Sequence, residues 1–149
     1  MRFQLLVIAV AGFLIAADAP KEDAKKETDR WQGNWVATAV ESAGNAFTDE
    51  QAKSMKFAVK GNKYTYTIGE DYHEEGNFKV DGAKKPKTVD VTIAQGTDKG
   101  ETQLGIYELD KDTLKICFAK PGKDKTRPKD FTTNADNEQL LITFKREKS

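Results

Sequence analysis

From Trp31 to the end of the chain, apolar and polar positions alternate with a period of two, the signature of strands that bury one face. Trp35 to Val40 is the first such run. Met55, Phe57 and Val59 then alternate with Lys56, Ala58 and Lys60, and Tyr64, Tyr66 and Ile68 with Thr65 and Thr67. Phe78 and Val80 follow, then Val89, Val91 and Ile93. The stretch "LGIYELDKDTLKICFAKPG", 104–122, reads as two strands around a tight turn, and Leu140, Ile142 and Phe144 mark the last strand. Turn residues separate the runs: Gly61-Asn62, Asp81-Gly82 and Pro121-Gly122. In "FTDEQAKS", 47–54, Thr48 suits the N-cap of a short helix, with Asp49 and Glu50 in its first turn. About eight short strands at near-regular spacing predict an all-β fold. Short connections make sequence neighbours sheet neighbours. Closing the sheet buries every apolar face and removes both edges. The expected fold is an antiparallel up-and-down β-barrel with one short helix after strand one.

The N-terminus is a separate object. "MRFQLLVIAVAGFLIAADAP" has one Arg, an apolar run and a small-residue exit, the pattern of a secretory signal peptide over 1–19. Cleavage after Ala17 or after Ala19 fits. No cysteine lies near that exit, which excludes lipoprotein attachment. The run 20–30 is charged, lacks large apolar residues and reads as a flexible tether. The barrel domain is expected over 31–147. No second apolar run follows, so an exported protein, periplasmic or secreted, without a membrane span after signal cleavage, is expected.

Charge and composition narrow the function classes. Lys plus Arg and Asp plus Glu number 24 each, so no whole-chain field attracts a polyanion and no nucleic-acid partner is expected. Cys117 is the single cysteine. It predicts no internal disulfide and reads as a small packed strand residue. His73 is the single histidine, and no nucleophile motif accompanies it. "GEDYHEEG" gathers Glu70, Asp71, His73, Glu74 and Glu75, but alternation sends strand neighbours to opposite faces, so this reads as a solvated hairpin tip and not a metal site. The inferred inner faces carry no carboxylate. No catalytic residue, metal or cofactor is expected, and the chain reads as a non-enzyme.

"WQGNW", "KKPKTVDVTI", "GIYELDKDTLKICFAKPGK" and "RPKDF" together resemble a lipocalin-like domain family of unknown function abundant in planctomycetes. Gly33-Asn34-Trp35 is similar to the Gly-x-Trp opening of lipocalins, whose Thr-Asp-Tyr motif is absent here. The resemblance runs from Trp31 to about Glu147. It implies a lipocalin-like β-barrel, export, and a basic last-strand residue covering the first-strand Trp. Lys145 and Arg146 are the candidates over Trp35, and Arg146 is preferred because a guanidinium stacks well on an indole.

An eight-stranded barrel can be filled by side chains or can hold one small ligand. In the hollow reading Trp35, Phe57, Tyr64, Tyr66, Ile106, Ile116, Phe118 and Phe144 line a site for a small neutral apolar molecule. The facing of one strand is ambiguous, since Tyr107 and Leu109 lie opposite Leu104 and Ile106. The alternative is a filled barrel that binds a protein or envelope polymer through loops 69–76 and 119–130. A dry cavity of ~300 Å³ would cost up to ~7 kcal/mol, which weighs on a short barrel without disulfides. A monomer is expected in either case.

Overall fold

The computed structural model describes residues 25–121 and 126–148. The expected signal peptide lies outside the described residues. Among the described residues nine strands form one antiparallel sheet: β1 (Gly33–Ser42), β2 (Asn45–Ala46), β3 (Met55–Lys60), β4 (Lys63–Ile68), β5 (Tyr72–Asp81), β6 (Lys87–Gln95), β7 (Thr102–Asp110), β8 (Thr113–Phe118) and β9 (Leu140–Arg146). Helix α1 spans 25–30, and helix α2 is Asp49–Lys53. Eight strands pair with their neighbours in order, and β1 pairs with β9 to close an up-and-down barrel. The two residues of β2 only extend the end of β1, pairing Asn45 with Ser42 and Ala46 with Glu41.

Local chemistry accounts for these elements. Gly61 takes a positive φ of 64° and turns β3 into β4 beside Asn62. Thr48 caps α2 through a reciprocal capping box with Gln51, whose side chain accepts from the Thr48 N–H at 2.9 Å. In β1 the alternation is interrupted at Thr38, where the pairing with β9 shifts register between Ala37 and Ala39. This bulge turns Val40 inward, so Trp35, Ala37 and Val40 are buried while Ala39 is exposed.

Two expectations are corrected. The flexible tether is, over 25–30, a helix docked on one end of the barrel. Glu27 accepts the Tyr107 hydroxyl proton at 2.6 Å and meets Arg30 at 3.1 Å and Lys87 at 3.4 Å. The run lacks large apolar residues, and its anchorage is polar. In β7, Tyr107 and Leu109 face the core beside Ile116 and Leu114 of β8, whereas Ile106 pairs with Cys117 on the outer surface. Leu104 shares that outward parity and is half-buried. Ile106 is nevertheless buried, because Arg127 and Pro128 of the β8–β9 connection lie over it.

Arg146 fastens the α1 end. Its guanidinium lies 4.2 Å from the Trp35 ring centroid. It also donates to the carbonyls of Gln32 and Arg30 and pairs with Asp112 at 2.9 Å. Trp35 is fully buried and donates its indole N–H to the Trp31 carbonyl at 2.9 Å. Trp31 stacks on Phe78 with centroids 5.2 Å apart and meets Tyr107 edge-on. Helix, two tryptophans and Arg146 thus plug one end of the barrel. The opposite end carries α2 and the longest connection, 119–139.

Candidate functional site

The interior above this plug is hollow. A cavity of about 450 Å³ extends from Trp31 toward the α2 end. That volume lies within the ordinary range for small-molecule sites. Its walls are Met55 and Phe57 of β3, Tyr64, Tyr66 and Ile68 of β4, Val91 of β6, Ile116 and Phe118 of β8, and Ile142 and Phe144 of β9. Phe47, Ile68 and Leu140 are half-buried at the rim and Thr97 there is exposed, so among the described residues the cavity opens to solvent. This resolves the energetic objection to a hollow barrel. A closed, dry void of this size would cost on the order of 11 kcal/mol, but an open one admits water or ligand.

Of the residues expected to line a binding site, Phe57, Tyr64, Tyr66, Ile116, Phe118 and Phe144 meet in this cavity. Trp35 does not line it, because Trp35 packs within the plug. Ile106 does not line it either, because it faces outward. Trp31 also forms part of the lining, although the sequence pattern marks it only as the start of the domain and not as a core residue.

The larger correction concerns charge. Glu74 was expected at a solvated hairpin tip, and the interior was expected to hold no carboxylate. The turn is confined to 69–71, and Tyr72 already begins β5. Counting back by two from Val80 and Phe78 places Gly76, Glu74 and Tyr72 on the inner face. Glu74 is 9% exposed and lines the cavity. Its carboxylate accepts hydrogen bonds from the Tyr64 hydroxyl at 2.7 Å and the Tyr72 hydroxyl at 2.8 Å. The neighbouring charges go elsewhere: His73 is exposed on the outer face, 3.0 Å from Glu75.

Gly76 makes this arrangement fit. A Cβ there would lie 2.3 Å from the Thr92 carbonyl and 2.8–2.9 Å from the Tyr64 ring and hydroxyl. Without a side chain at 76, β6 approaches closely and Tyr64 lies flat across β5 to reach Glu74. The pairing of β5 with β6 shifts register at this point.

Burial, reinforced by the Glu74 carboxylate, raises the Tyr64 and Tyr66 phenols above their ordinary range. Tyr72 is pushed up to about 12, first by burial and then by its hydrogen bond to Glu74. The phenols therefore stay protonated, and Tyr64 and Tyr72 act as fixed donors. Asp98 stands at the rim beside Thr97. Among the described residues, those lining the cavity include these two acids and no lysine, arginine or histidine.

On the outer surface, Cys117 is buried beneath Gln139 and Thr132. Burial lifts its thiol to about 11. Arg127 pins the same covering segment by donating to the carbonyls of Val89 and Gly105 and pairing with Asp90 at 2.6 Å. Residues 122–125 of the expected loop site 119–130 lie outside the described residues. Comparison of the whole chain with protein-family models, curated proteins and solved structures finds no match.

Proposed function

We propose that the protein is a non-catalytic binding module that holds a small, predominantly apolar molecule in the barrel cavity. The observation that carries this reading is the cavity of about 450 Å³ itself, walled largely by aliphatic and aromatic side chains and open at one end. Small-molecule sites combine such apolar walls with a few placed polar groups. Tyr64, Tyr72 and Glu74 supply those groups here. The plug at the other end supports the reading, because it gives the cavity a floor. A filled barrel working only through its loops draws no support from an interior of this volume. Export belongs to the proposal on the sequence of 1–19 alone.

The test is a fluorescence titration with N-phenyl-1-naphthylamine, a neutral apolar fluorophore. Saturable binding with one site per chain supports the reading. Emission that rises without saturation, or not at all, refutes it.

A further inference from the structure

We infer that the molecule bound in the barrel carries a basic amine directed at Glu74, an inference that rests on the cavity reading above. Among the described residues that line it, the cavity presents two carboxylates, three phenols, the Thr97 hydroxyl and the Gln103 amide, and no basic side chain. Glu74 is buried, and the ion pairs among the described residues engage other carboxylates. A buried carboxylate without a cation is costly, and hydrogen bonds offset only part of that cost.

The hydrogen bonds of Glu74 also define what it can still take. Each phenol has one proton, and both are spent on the carboxylate. The phenol oxygens and the remaining carboxylate lone pairs are therefore all acceptors. An ammonium brings three donors and a positive charge to this set. An alcohol brings one donor and no charge. A carboxylate ligand brings like charge to Glu74, whose two phenol partners have no proton left to donate. The aromatic rings of Phe57 and Tyr66, which also line the cavity, offer further stabilisation to a cation. The expectation of a neutral ligand rested on an interior without charge, and Glu74 removes that ground.

The experiment compares octylamine, octan-1-ol and octanoate near pH 7, each displacing N-phenyl-1-naphthylamine from the full chain. The three probes share one apolar tail and differ in head group. Octylamine should bind at least about tenfold tighter than octan-1-ol, with octanoate weakest. Glu74→Gln should bring amine and alcohol within about threefold of each other. Equal affinity for amine and alcohol in the unaltered protein, or tightest binding of octanoate, overturns the inference and leaves the cavity reading standing. A preference for amine that survives Glu74→Gln overturns the assignment to Glu74. Failure of the fluorophore and all three probes to bind overturns the cavity reading and this inference together.

Discussion

Replacing Arg146 by alanine removes the clasp that holds the plug in the barrel. The guanidinium lies 4.2 Å from the Trp35 centroid and leaves 27% of its side chain exposed. A cation–π contact mostly withdrawn from water contributes ~1–2 kcal/mol. The bonds to the Gln32 and Arg30 carbonyls would each contribute ~1.5–3 kcal/mol if fully buried. Water can reach the carbonyls once the side chain is gone, so ~0.5–1 kcal/mol apiece is the appropriate figure. Asp112 is 63% exposed, and solvent screening leaves that pair worth little. The total is ~2–4 kcal/mol, and for a domain of this size about 4 °C in Tm accompanies each kcal/mol, giving a drop of roughly 8–16 °C. Thermal unfolding followed by circular dichroism or calorimetry reads this directly. Arg146→Lys keeps the charge but loses the planar stack and the fork of donors, so it should recover less than half of the loss. A Tm within about 2 °C of the unaltered protein for Arg146→Ala, or full recovery with lysine, would refute the reasoning.

Three further outcomes follow from the same structure. Cys117, with its thiol near 11 and its side chain buried, should react with a disulfide reagent at pH 8 at least about a hundredfold more slowly than a free cysteine, and should become reactive on denaturation; complete labelling of the folded protein within minutes would contradict this. Burial works against ionisation of Glu27, but the Tyr107 hydroxyl, Lys87 and Arg30 outweigh it and hold its pKa below 4.5. Its contribution to stability is therefore present above the ordinary carboxylate pKa and lost as pH falls through the lower folded value. Unfolding free energy measured from pH 6 to pH 3 should fall less steeply in Glu27→Gln, and an unchanged slope would exclude the linkage. Ile68→Trp, at the half-buried rim, should weaken N-phenyl-1-naphthylamine binding by about tenfold or more with little change in Tm; unimpaired binding would place the fluorophore elsewhere.

The barrel is legible in the sequence because each strand announces its inner face by alternation, and short turns leave one plausible pairing order. Legibility fails where two signals compete at one place. In β7 both parities are apolar, so alternation alone cannot decide between Ile106 and Tyr107. The decision comes from the covering segment around Arg127 and Pro128, which gives Ile106 a second buried environment outside the barrel. At Thr38 a single bulged residue reverses parity without any local mark in the composition. Glu74 was hidden by its neighbours: a run of charges reads as a solvated turn, although the alternation from Phe78 and Val80 continues through it. The helix over 25–30 is hidden for a related reason. A charged helix that docks through one carboxylate on a tyrosine and a lysine has no apolar face for a pattern search to find. The cavity follows from these particulars. An enclosed volume depends on how closely β5 and β6 approach at Gly76 and on where Trp31 sets the floor.

Native mass spectrometry of the protein purified from its own host reads directly whether the barrel holds a small molecule. A complex heavier than the bare chain by one small-molecule mass is expected, released when the protein is denatured and reduced in occupancy by Ile68→Trp. A bare chain that also fails to take up N-phenyl-1-naphthylamine would contradict the cavity reading.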